Sequence, residues 1–108
     1  MSKPGHLGLT GVVHAVTFRW KEGTTPEQIA ALETALAGLP GRVEGVLAYG
    51  FGPDLGWREG NADYGVMGVF ADDAAYAAYA SDESHLALIR DFVLPILADR
   101  TALQFRIG

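Results

Sequence analysis

Apolar and less apolar residues alternate from Val12 to Trp20, which predicts a strand with His14, Val16, Phe18 and Trp20 on one face and Val13, Ala15, Thr17 and Arg19 on the other. Both faces are largely apolar. Such a strand needs cover on two sides: the chain's own helices on one and, in a chain this short, a second subunit on the other. The period then changes. Ile29, Leu32, Leu36 and Leu39 recur at three- and four-residue steps behind Thr25-Pro26-Glu27-Gln28, where a capping Thr, a first-turn Pro and a capping-box Gln mark a helix start. The spacing predicts a helix from Pro26 to about Leu39, ended by Gly38 with Pro40-Gly41, with Glu27, Gln28 and Glu33 in water.

Val43 to Phe51 reads as a second strand, and the turn formers from Gly52 to Asn61 make the longest loop. Asp63 to Phe70 reads as a third, with Tyr64, Val66, Gly68 and Phe70 on one side and Gly65, Met67 and Val69 on the other. Asp72 or Asp73 can cap an Ala/Tyr-rich helix ending near Ala80. Asp82 can cap a last helix carrying Leu86, Ile89, Val93 and Ile96 on one face, bent or stopped by Pro95, before a fourth strand from Thr101 to Ile107. The order β-α-β-β-α-β is that of a ferredoxin-like α+β fold, a four-stranded antiparallel sheet with its helices on one face. Residues 12–108 are expected to form a single domain behind a flexible leader, residues 1–11.

Composition narrows the function classes. At 108 residues there is room for one hydrophobic core, and 49% apolar with 19% charged residues is the balance of a globular domain. No apolar run approaches the roughly 20 residues of a membrane span, and the leader lacks a signal-peptide core, so a cytoplasmic protein without membrane partners is expected. Thirteen acidic against eight basic residues give a net charge of −5, and the basic residues form no stripe, which argues against nucleic acid. With no cysteine and three histidines outside any H-x-x-x-H or H-E-x-x-H spacing, no metal site is expected.

Polar chemistry is concentrated in few places. His14 lies on the strand face shared with Val16 and Phe18; His85 stands in the first turn after Asp82-Glu83-Ser84; Tyr76 and Tyr79 share a face of the preceding helix. Each has a structural reading beside a chemical one: a half-buried imidazole on a backbone carbonyl, a capping His, a core phenol. The helix start at His85 disfavours its cation, whereas Asp82 and Glu83 favour it, so the sign of its pKa shift stays open. Val16, Phe18, Leu32, Leu36, Tyr64, Val66 and Leu88 are the candidate ligand-binding wall of a pocket, and they would equally describe a filled core. In the long loop, Trp57 and Arg58 are candidates for a lid or a subunit contact.

His14 on the first strand, followed by Tyr79 and His85 across a broken helix, resembles the stress-responsive A/B barrel (Dabb) family over about residues 12–107. That resemblance implies two ferredoxin-like sheets pairing as a homodimeric α+β barrel. In the family's olivetolic acid cyclase branch, the positions matching His14, Tyr79 and His85 are catalytic, which implies the same roles here. A neutral His would remove an acidic proton and Tyr would donate to the developing enolate, without a cofactor. The chain departs from the family pattern at Tyr64, where many members have His, at Glu83, where they have Pro, and at Leu36, where the cyclase has a pocket tyrosine. Three readings stay open: a binder or cyclase-like enzyme for a hydrophobic small molecule, a non-catalytic stress-responsive or assembly protein with structural histidines, and a cofactor-independent monooxygenase-like barrel.

Overall fold

The computed structural model describes residues 10–108. His6 and most of the predicted leader lie outside the described residues, and Gly11, assigned to that leader, is instead the first residue of strand β1 (Gly11–Trp20). β1 is flanked by β3 (Tyr64–Phe70) and β4 (Leu97–Ile107), and β2 (Val46–Pro53) pairs with the outer side of β3. All pairings are antiparallel and the order is β2-β3-β1-β4, the split β-α-β arrangement of the ferredoxin-like fold. Helices α1 (Pro26–Ala37), α2 (Asp73–Ser81) and α3 (Glu83–Leu88) supply the cover of one sheet face. Val12, Val16, Phe18, Val66 and Phe70 of the sheet pack there with Leu32, Leu36, Tyr79 and Leu88 of the helices.

The local signals act as their chemistry requires. Thr25 accepts the backbone N–H of Gln28 while the Gln28 side chain accepts the backbone N–H of Thr25, closing the capping box. Asp72, rather than Asp73, caps α2 by accepting from the Ala75 N–H, and Asp73 turns outward to pair with Arg106. Glu33, expected in water, is half-buried, and the Tyr64 hydroxyl donates to its carboxylate at 2.8 Å.

α1 ends at Ala37 rather than near Leu39 and β2 runs on to Pro53 rather than Phe51, while three differences from the sequence expectation are larger. β2 starts at Val46 rather than Val43, because a short 3-10 turn at Pro40–Arg42 and a left-handed Gly45 (φ +86°) intervene. A Cβ on Gly45 would lie 2.7 Å from that of Ala75, so this glycine serves both the turn and the close approach to α2. The predicted last helix is three pieces: α3, a π turn at Ile89–Val93 closed by the Leu94 N–H donating to the Ile89 carbonyl, and a 3-10 turn at Leu94–Ile96. The π turn adds a residue to the repeat, so Leu88, Val93 and Ile96 are buried and Leu86, expected on the inner face, is 51% exposed. Finally, β4 begins at Leu97 rather than Thr101, since β1 continues to pair with it past a bulge at Arg19/Trp20.

The other sheet face has no helix. Val13 and Val69 are buried there, while Met67 on β3 and Leu103 and Phe105 on β4, either side of Ala15 on β1, remain 45%, 55% and 46% exposed. Trp57, in the long loop, is 82% exposed. Among the described residues no helix is long and apolar enough to cross a membrane, and no group of three or more His, Cys, Asp or Glu could hold a metal ion.

Candidate functional site

The break between α2 and α3 is made by one residue. Asp82 ends α2, donating its N–H to the Tyr79 carbonyl, and caps α3 by accepting from the N–H groups of Ser84 and His85. Arg42 clamps the same carboxylate at 3.1 Å, and this bond holds Asp82 below the usual carboxylate range. Reversal of the chain at this point brings the His85 ring against Tyr79, with ring centres 4.4 Å apart. From the sheet, His14 reaches the same place: its ring centre is 5.4 Å from that of Tyr76 and 6.2 Å from that of Tyr79.

Phe70 supports this aromatic group from below, its ring 5.0 Å from Tyr79 and 5.6 Å from Tyr76. The space for that ring is provided by Gly68, which pairs with His14 on one side and Tyr49 on the other. A Cβ on Gly68 would lie 2.8 Å from the Phe70 ring.

A cavity of about 120 Å³ lies between sheet and helices, and His14, Tyr79 and His85 all border it. Val16, Phe18, Leu36, Val66 and Leu88 form its apolar wall, completed by residues of the π and 3-10 turns, with Arg100 at its edge from β4. Leu32 and Tyr64, included among the candidate wall residues, are not part of it. Leu32 is wholly buried in the core beneath α1, and Tyr64 is tied to Glu33 and borders a groove by Thr17 and Gly65 instead.

Hydrogen bonding assigns the tautomers. The Ala80 carbonyl lies 3.2 Å from His85 Nδ1 and can only accept, so Nδ1 carries the proton and Nε2 of the neutral ring keeps its lone pair. At His14 the Gln104 amide nitrogen donates to Nδ1 over 2.8 Å, which leaves the proton of the neutral ring on Nε2. The cavity thus holds one imidazole acceptor and one imidazole donor. Burial pushes both imidazoles below their ordinary value. For His14 the charges of Arg100 and His85 add to this, and for His85 burial outweighs the Ala80 carbonyl and Asp82, which pull the other way. The sign left open by the sequence is therefore downward.

Tyr79 shares a 2.8 Å hydrogen bond with the hydroxyl of Tyr49. Burial first, then this bond, raise its pKa far above the ordinary phenol value, so Tyr79 stays a neutral hydroxyl at any physiological pH. Tyr49, Gln104 and Arg100 were not found from sequence. Each comes from an edge strand, and only the alternation of β2 and β4 about known registers could have put them on the helix side.

Depressed imidazole pKa values have a consequence for stability. An unfolded His titrates near 6.5, so between that pH and the lower folded values the unfolded chain binds more protons. The contribution of the two neutral rings is complete above about pH 6.5 and is lost as pH falls through the folded values. Urea midpoints are expected to fall between pH 7.5 and pH 5, with a shallower fall in His14→Gln; equal midpoints at both pH values would contradict the assignment. The ion-paired Asp73, Asp82 and Asp91, whose values are also lowered, act only near and below about pH 4.

A dimeric ferredoxin-like protein of unknown function from Thermobifida fusca is 36% identical to this chain, covering 91% of it and 92% of that protein, with a TM-score of 0.84. A hydroxynitrile lyase from Passiflora edulis is 20% identical over 90% of this chain and 93% of its own, with a TM-score of 0.77. A Dabb family protein from Mesorhizobium loti shows 20% identity, 90% and 96% coverage and a TM-score of 0.73. The two more distant likenesses concern the fold alone. Comparison with curated proteins finds no significant match. The Stress responsive A/B Barrel Domain description matches residues 12–107, and with the Thermobifida fusca relative this shows that the chain belongs to the Dabb family.

Proposed function

We propose that this chain binds a small apolar molecule in the cavity between sheet and helices and moves a proton on it, with His85 as base, His14 as donor and Tyr79 as the hydroxyl that meets developing negative charge. The observation that carries this reading is the pairing of an acceptor and a donor imidazole, both held neutral, on one apolar wall. A neutral base near physiological pH is what removal of a proton beside a carbonyl requires, and a fixed hydroxyl lowers the energy of the resulting enolate. The same neutral base could take the hydroxyl proton of a hydroxynitrile as the carbonyl forms and cyanide leaves to be protonated, the reaction of a hydroxynitrile lyase, the activity named for the Passiflora edulis relative.

At about 120 Å³ the cavity suits one ring rather than an extended polyketone, so the reading favours a single-ring substrate over a cyclase acting on a long chain. A structural role for the same residues draws on one observation: Tyr79 is already satisfied by Tyr49.

The assay follows both possibilities. Imidazole NMR signals of His14 and His85 are recorded during titration with cyclohexanone, together with deuterium uptake at its α-carbons. Saturable shifts of both rings and catalysed exchange are expected, with exchange slowed about 10²-fold in His85→Gln, the low end of the general-base range because His14 remains. Saturable shifts without catalysed exchange would reduce the reading to a binding protein, and unresponsive rings across a series of small cyclic ketones would move it to the structural role.

The partner proposed for the open sheet face is a second copy of this chain. Met67, Leu103 and Phe105 form a contiguous apolar patch there, and the relatives from Thermobifida fusca and Jannaschia are named as dimeric.

A further inference from the structure

Resting on the cavity reading above, we infer that the ligand is a single-ring monocarboxylate whose carboxylate is held by the guanidinium of Arg100. In β4, Arg100 pairs with Phe18 of β1 and stands on the side of the sheet that carries the cavity. Its neighbours Asp99 and Thr101 alternate to the opposite face and border the groove there, so the adjacent carboxylate does not neutralise it on the cavity side. The other residues bordering the cavity are aliphatic, aromatic or imidazole, with no Asp or Glu among them. Arg42, Arg90 and Arg106 hold Asp82, Asp91 and Asp73, whereas Arg100 belongs to none of the ion pairs among the described residues.

The wall is therefore apolar with one cationic edge, and a ligand that matches it has an apolar body and one negative charge. A planar carboxylate meets the planar guanidinium through two parallel N–H···O bonds. A phosphate dianion would bring a second charge that no second cation in this wall answers. Size limits the body: a dry cavity of about 150 Å³ accepts benzene, so about 120 Å³ with an open edge accepts one six-membered ring and leaves its carboxylate at the rim. The imidazoles, being neutral, do not compete for the anion.

Benzoate, 4-methylbenzoate and cyclohexanecarboxylate, each against its primary amide, test this. Calorimetric titration at pH 7.5 gives affinity, and the His14 and His85 imidazole signals report whether the ligand occupies the cavity. The acids are expected to bind at least about tenfold tighter than the amides, the order of a charge-assisted bidentate pair. Arg100→Gln should remove that advantage, bringing each acid to the affinity of its amide, and Arg100→Lys should retain part of it. Equal affinity of acid and amide in the native protein, or an acid preference that survives Arg100→Gln, overturns the carboxylate assignment and leaves the cavity reading standing. Failure of all six compounds to shift either imidazole overturns both.

Discussion

Phe70→Ala is expected to lower the unfolding free energy by about 3–5 kcal/mol, the range for removing a fully buried phenylalanine. The ring has no exposed surface and lies over Gly68 against both Tyr76 and Tyr79. Strands on both sides of β3 fix the backbone around it, so the void has little means of collapse and the loss falls toward the upper end of that range. Against the roughly 5–15 kcal/mol available to a domain of this size, the variant would be marginal. Urea unfolding followed by circular dichroism gives the value. A Phe70→Leu variant, which keeps most of the volume, should recover much of it and allow the site to be observed, where the His85 imidazole signal should shift because Tyr79 has lost its support. A loss below about 1 kcal/mol in Phe70→Ala would mean that this ring is not the keystone of the aromatic group.

Met67→Glu is expected to turn the proposed dimer into a monomer. Met67 sits on a central strand of the open face, paired with Ala15 on one side and Gly50 on the other. In a two-fold assembly each substitution enters the interface twice, and each carboxylate would be buried without a partner at a cost of several kcal/mol. Even a total of only about 4 kcal/mol raises the dissociation constant by about 10³. Sedimentation at micromolar concentration should show dimer for the native protein and monomer for Met67→Glu, with Met67→Leu remaining dimeric. A Met67→Glu protein that stays dimeric would place the contact on another surface. Because the cavity lies on the opposite side of the sheet, among the described residues the monomeric variant keeps His14, Tyr79 and His85 together, and its ligand shifts separate dissociation from loss of the site.

Local signals in the chain were sufficient for much of this architecture. Strand β1 announces itself by a period-two pattern with both faces largely apolar, α1 by a complete capping box, and the α2–α3 break by an aspartate that can cap, so the order of elements and the family resemblance could be read before any contact was known. His14, Tyr79 and His85 were legible for the same reason, since each sits at a position within such a local pattern. Leu32 and Tyr64 were misplaced because periodicity says that a side chain points inward without saying whether it meets a cavity or packed atoms. Leu86, expected on the inner face, is exposed because a π turn adds one residue to the helical repeat, and no side chain in Ile89–Val93 marks that insertion.

What distance along the chain separates, only the tertiary structure could join. The Tyr49 and Tyr79 hydroxyls bond across 30 residues, Gln104 reaches His14 across 90, and Arg100 enters the cavity wall because β4 begins four residues before its apolar run suggests. These contacts depend on strand register, a cooperative property of the whole sheet rather than of any window of sequence. The direction of the imidazole pKa shifts was decided at the same level, because burial is set by the elements that close over a ring, and at His85 it outweighs the neighbouring acid that the sequence places beside it.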